Sequence, residues 1–243
     1  MSVSRRIFVG AGLAVGAVAL TGFPAGAEAD PLALPATSLA AEALRLITAE
    51  QEPYLRNHSI RSYLFASAIA RAQGLRPGDD FDDETMFLIC ALHDMGLTES
   101  ANGDQRFEVD GADYAAQFLE NNGVRDARVD IVWDAIAAHT TSLSGSPVYR
   151  RRRPAEIWLS VDGIGIDIGA GPDALPAGYA DLVLAAYPRL GGSRALSDAL
   201  EAQTVAKPQK AVPGSLAAEV VRQRHPHLVP SWEQILAANG WND

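Results

Sequence analysis

FLICALHDMGLTES, residues 87–100, places a histidine and an aspartate side by side at the end of an apolar run. Phe87, Leu88, Cys90, Ala91 and Leu92 predict a buried helix, and Gly96 stands where a C-capping glycine is expected. A buried, ionised carboxylate is costly without a partner. A divalent cation is one such partner for His93-Asp94, because imidazole nitrogen and carboxylate oxygen together suit zinc, iron or manganese. Such pairs also occur by chance, so the weight falls on what the rest of the chain adds.

Working outward, the chain repeats one pattern. SLAAEALRLITAE, residues 38–50, has helical spacing behind a Ser38 N-cap, and Pro53 is expected to end or bend that element. Residues 54–73 set Ile60, Leu64 and Ala68 on one face and close at Gly74. Residues 109–121 and 125–139 read as helices, and SLSGSPVYRRRRP as a loop. Residues 155–168 form an apolar helix interrupted by Gly163 and Gly165, and further helices are expected at 174–187, 195–205, 214–223 and 231–239. No stretch alternates with β-branched residues, so the expected fold class is all-α, a compact helical bundle.

The N-terminus reads differently. Arg5-Arg6 precede an apolar run from Ile7 to Leu20, and Ala25-Gly26-Ala27 and Ala27-Glu28-Ala29 are cleavage candidates. Residues 1–29 are therefore expected to be a signal peptide of the twin-arginine type, and the protein to be exported to the periplasm or beyond the cell. An uncleaved N-terminal anchor is the alternative. Residues 30–243 are left for the folded domain, and 48% apolar residues supply a sizeable core. Cleavage after Ala27 removes two arginines and no acid, taking the net charge from −10 to −12. A surface that acidic disfavours nucleic acid and anionic lipid, so neither is expected as a partner. Cys90 is the only cysteine, lies in the apolar helix and reads as a core residue.

There are five histidines. His58 falls in NHSIRSYLFA, and His139 ends the helix IVWDAIAAHT. His225 and His227 sit beside prolines in RHPHLVP and read as loop residues. Asp162 and Asp167 both lie in the apolar segment after residue 155. Five residues of α-helix turn them roughly 140° apart, so only one can face a given site.

His58, His93-Asp94 and Asp167, in that order, resemble the HD superfamily of metal-dependent hydrolases. NHSIRSYLFA, LHDMGLTE, RFEVDGADYAAQFL and VWDAIAAHT are similar to the subgroup that contains fungal cyanamide hydratases and their bacterial relatives. The likeness runs over residues 57–169 and fades in a C-terminal helical extension, residues 170–243. It implies an HD-domain bundle with a mononuclear metal site held by His58, His93, Asp94 and Asp167, and His139 at the pocket.

Two imidazoles and two carboxylates would neutralise one divalent ion, zinc or iron first and manganese third, and leave room for water. Asp94 and His139 are then the catalytic candidates, Asp94 as ligand and proton acceptor and His139 as general acid. Asn57 and Arg61 adjoin the first ligand and are candidates for binding substrate; a solvated Arg61 is the plainer alternative. Glu108 and Asp110 can orient a ligand imidazole or serve as helix N-terminal acids. Arg150 to Arg153 read as an anion clamp or as a solvated basic loop. The expected activity is addition of water to a small molecule such as a nitrile- or cyanamide-like compound. The alternatives are a phosphohydrolase acting on a phosphoester and a catalytically silent metal-binding module. The expected partner is a small-molecule substrate, with no stable membrane insertion after cleavage and a homo-oligomer allowed.

Overall fold

The computed structural model describes residues 30–241, so the expected signal peptide at 1–29 lies outside the described residues. In chain order the helices are α1 (Ser38–Glu50), α2 (Pro53–Ala72), α3 (Asp83–Leu92), α4 (Phe107–Asn121), α5 (Arg128–Ala138) and α6 (Pro147–Arg152). There follow α7 (Ala155–Gly165), α8 (Tyr179–Ala186), α9 (Gly192–Ala206), α10 (Leu216–Arg224) and α11 (Trp232–Ala237). Among the described residues there is no strand, only an isolated bridge between Pro77 and Phe81, so the class is all-α as expected. No described helix is long and apolar enough to cross a membrane.

Three local readings change. The cap of α1 is Thr37, whose hydroxyl accepts from the Ala40 N–H at 3.1 Å. Pro53 opens α2 instead of ending α1, because a proline at the first helical position sacrifices no hydrogen bond and its φ already suits the helix. The loop expected around residues 142–154 contains α6, started by the Ser146 hydroxyl, which accepts from the Tyr149 N–H, and by Pro147.

α2 is the central helix. Every residue from Asn57 to Ala70 is buried, so the single face of Ile60, Leu64 and Ala68 was only part of it. Small residues permit this all-round packing. α7 crosses α2 where Gly163 meets Ser62 and Ala66, and a Cβ at 163 would overlap the Ser62 carbonyl. α3 packs beside both, and Met86, Phe87, Leu88, Ile89 and Leu92 lie in the same apolar core as Leu64 and Leu159.

The C-terminal extension is attached to this core, not appended to it. Leu196 and Leu200 of α9 and Ala217 of α10 pack with Leu55 and Phe107. Polar bonds tie the same segment to the turn that follows α3 and to the start of α4. Gln203 Nε2 donates to the Gly96 carbonyl at 2.7 Å, Lys207 Nζ to the Asn102 carbonyl at 2.7 Å, and Lys210 Nζ to Asp110 at 2.5 Å.

Candidate metal centre

Each side chain of the site is set at a helix end or on α2. His93 caps the C-terminus of α3, and its Nδ1 lies 2.8 Å from the Cys90 carbonyl. His139 caps α5 in the same way, with Nδ1 2.7 Å from the Ile136 carbonyl. A carbonyl only accepts, so both rings carry the proton on Nδ1 and present an Nε2 lone pair. His58, on α2, has Nδ1 2.7 Å from Asp167 Oδ2, which assigns it the same tautomer. All three Nε2 atoms therefore offer lone pairs, and all three face Asp94.

The distances are short. His58 Nε2 and His93 Nε2 are 3.1 Å apart. Asp94 Oδ2 lies 3.2 Å from His93 Nε2 and 3.6 Å from His58 Nε2, and Asp94 Oδ1 lies 3.8 Å from His139 Nε2. One atom from each of His58, His93 and Asp94 falls within 4.8 Å of the other two, and all three residues are buried. Asp94 Oδ2 has no hydrogen-bond partner. Two lone pairs facing each other beside an orphaned buried carboxylate oxygen need a cation or shared protons among them. The donor set of imidazole nitrogen and carboxylate oxygen is one that zinc, iron and manganese accept.

Electrostatics follow the same geometry. Burial pushes the Asp94 carboxyl up, but the surrounding His93, His58 and His139 rings outweigh it and hold Asp94 well below the usual carboxylate range. Burial pushes His93 down, and the adjacent Asp94 reverses this, leaving it raised. Burial lowers His58, the hydrogen bond to Asp167 notwithstanding. Burial, with His93 beside it, takes His139 down to about 4, so that ring is neutral near pH 7.

Asp167 does not join the converging set. It sits in a π-helical turn, Ile166–Ala170, that extends α7, a distortion often found at functional sites. Its Oδ1 accepts from Arg61 Nε and Arg189 Nη1, both at 2.8 Å, and its Oδ2 from Arg61 Nη2 at 2.6 Å and from His58 Nδ1. Both oxygens are occupied behind the His58 ring, so Asp167 contacts His58 on the side away from the converging atoms and lies outside the set in which it was expected. Burial pushes Asp167 up, and the bonds from His58 and Arg61 overcome it and hold the group ionised.

Arg61 and Asn57 are also corrected. Arg61 is fully buried, with its Nη1 donating to the carbonyls of Tyr187 and Pro188, and Asn57 Nδ2 donates to Pro188 O at 2.9 Å. Their donors hold the backbone and Asp167 and face no open site. Glu108 pairs with Arg106 and Thr140, and Asp110 with Lys210, so neither orients an imidazole. Asp162 takes Arg150 at 2.7 Å, and that guanidinium stacks 4.8 Å over Trp158, so Arg150 braces the fold and is no anion clamp. Gly96 is not a cap: it is a glycine because a Cβ would overlap the Phe107 carbonyl, and its absence lets the His93-Asp94 turn rest on the start of α4. Phe107, in turn, packs its ring edge-on to His139 at 5.7 Å. Arg189 is the site neighbour with no signal in the sequence, since an arginine in the run Pro188-Arg189-Leu190-Gly191-Gly192 reads as a surface turn.

Against known protein families, residues 55–182 match the HD domain. The match spans more than half of the 243 residues and contains all of His58, His93, Asp94, His139 and Asp167. No curated protein matches the chain.

Proposed function

This chain belongs to the HD domain family, and from that premise we propose that it is a metal-dependent enzyme that adds water to a small neutral substrate. HD domains bind divalent metals, and the family's activities are generally hydrolytic. The observation that carries the reading is the convergence of the His58 and His93 Nε2 lone pairs on the unpartnered Asp94 Oδ2. His58, His93 and Asp94 would hold the ion, zinc or iron before manganese, with Asp167 fixing the His58 ring. A divalent ion bound there supplies Lewis acidity and lowers the pKa of a water in contact with it.

The chain's own residues then handle the protons. Asp94 is ionised, and with Oδ2 turned to the ion its Oδ1, on the His139 side, would accept a proton from an attacking water. His139 is neutral with its lone pair toward Asp94 Oδ1, so it would take the water's proton from Asp94 and then donate it to the developing anion. Phe107 and the buried walls of α2 and α3 exclude bulk water from this exchange.

A nitrile- or cyanamide-like substrate is favoured over a phosphoester by the charges around the centre. Arg61 and Arg189 are committed to Asp167, Arg106 to Glu108 and Arg150 to Asp162. A phosphoryl group would need cations that are not already neutralised. Export through the twin-arginine route belongs to the same reading, and replacing Arg5 and Arg6 with lysine should strand the precursor in the cytoplasm.

The test is metal analysis of the purified protein, followed by turnover assays on nitrile-type compounds and on phosphoesters. Wild type should carry about one ion per chain, and His93→Ala should lose most of it. Faster turnover of phosphoesters would overturn the substrate class and leave the metal assignment standing.

A further inference from the structure

We infer that Arg189, which lies outside the matched HD domain, is a positioning residue of the metal centre: it pins Asp167 so that Asp167 holds the His58 ring with Nε2 turned toward Asp94. The inference rests on the metal reading above only for its consequence in metal affinity. The contact itself stands on the geometry of the chain.

Asp167 has room for about four donors on its two oxygens. Arg61 provides two, His58 one and Arg189 one, so Arg189 completes the set. Arg189 also donates to Ser193 Oγ at 3.1 Å, and that hydroxyl donates to the Ile168 carbonyl at 2.8 Å, one residue from Asp167. With Arg189 removed, Oδ1 keeps one donor and the carboxylate can pivot about Arg61. Its hold on His58 Nδ1 then weakens, and the ring is free to take the other tautomer, with its proton on the nitrogen that faces Asp94.

The backbone is shaped around this contact. Tyr187 and Pro188 are stitched to α2 by Arg61 and Asn57, which brings Arg189 over the end of α7. The chain must then reverse to begin α9, and it does so through three consecutive residues at positive φ: Leu190 at 49°, Gly191 at 98° and Gly192 at 54°. A leucine in that region is strained, so the conformation needs a compensating contact. A Cβ at Gly192 would lie 2.8–2.9 Å from the Arg189 guanidinium, so the glycine leaves the space the guanidinium fills. The Arg189 side chain is 39% exposed, while the carboxylate it reaches is 1% exposed. A surface arginine that merely tidied a turn would have no reason to reach that far in.

The experiment compares Arg189→Gln, Arg189→Lys and wild type as full chains, with Arg194→Gln, in the first turn of α9, as the control for losing one positive charge nearby. In chelator-treated protein, long-range nitrogen–proton spectra of the imidazoles report each ring's tautomer. Wild-type His58 is expected as the Nδ1–H form, Arg189→Gln as a mixture, Arg189→Lys in between, and Arg194→Gln as wild type. Titration with zinc alone should show affinity falling about tenfold in Arg189→Gln, the lower end of the usual effect of disturbing a ligand's partner. Gly192→Ala keeps the charge but displaces the guanidinium, and should reproduce both effects if Arg189→Gln fails to fold. An unchanged His58 tautomer overturns the inference. So does tighter zinc binding in Arg189→Gln, because Arg189 would then be competing with the ion for Asp167. A wild type that binds no zinc overturns the metal reading alone, since the tautomer measurement is made without metal.

Discussion

The ammonium of Lys210 lies 2.5 Å from the carboxylate of Asp110, and neither side chain reaches solvent. Lys210 Nζ also donates to Asn102 Oδ1 at 2.9 Å and to the Gly103 carbonyl at 3.1 Å, so all three of its protons are used. Asp110 sits in the first turn of α4, where the helix N-terminus favours a negative charge. Through these bonds Lys210, a residue from beyond the HD match, is fastened to the start of α4 and to the loop that follows His93-Asp94.

Breaking that pair from one side should be expensive. Lys210→Met leaves Asp110 buried and uncompensated, and should cost about 3–5 kcal/mol in urea unfolding. Adding Asp110→Asn to Lys210→Met should restore a large part of the loss. Equal loss in the single and double variants would show that the lysine acts by packing alone.

Much of the centre was legible because its determinants are local. His93 and His139 each bond the carbonyl three residues back at a helix end, and both helix ends could be placed from apolar spacing. Asp167 was legible as important but not in its role. That role depends on Arg61, 106 residues away, and Arg189, 22 residues away, and nothing near Arg61 in sequence separates a buried guanidinium from a solvated one. The glycine at 96 was legible as a constraint but given the wrong reason, since its φ is ordinary and the constraint is the Phe107 carbonyl pressing on it from α4. Pro53 shows the same limit: a proline marks a helix boundary, but whether it ends one helix or starts the next is decided by what packs around it.

Gly163→Ala tests the crossing of α2 and α7. The new methyl would meet the Ser62 carbonyl and the Ala66 nitrogen, which are backbone atoms that cannot swing aside. Helix propensity alone would make alanine stabilising by up to about 1 kcal/mol. Overpacking should win, for a net loss of about 1–3 kcal/mol in chemical denaturation. Because Ser62 follows Arg61, zinc affinity should fall in the same variant. A stabilised variant would mean that the two helices are farther apart than described.

Cys90 should be inert until the protein unfolds. It is fully buried in α3, and burial pushes its thiol up to about 12, so almost no thiolate forms at neutral pH. Labelling by a thiol reagent should track the opening of the core, and urea should raise the rate in step with the unfolded fraction. Rapid labelling of native protein would place the thiol at the surface.

His139 separates chemistry from structure. In chelator-treated protein its ring is held down to about 4, against about 6.5 in the unfolded chain. Between those values the unfolded state binds a proton that the folded state does not, so stability should fall as pH drops from 6.5 to 4 and level off below. His58, also lowered by burial, acts in the same direction. His93 is raised and acts oppositely: its contribution is full below about 6.5 and is lost as pH rises through its folded value. His139→Gln removes one of the two acid-sensitive terms, and should lose less stability than wild type over that window, by roughly 3 kcal/mol at most. The same variant should keep most of its metal, because His58, His93 and Asp94 form the converging set without it. Its turnover should fall by about 10²–10⁴, the usual worth of a positioned proton-transfer group. Loss of metal together with turnover would make His139 a ligand instead. Parallel pH–stability curves would show that the ring titrates normally in the folded protein, and unchanged turnover would remove it from the mechanism.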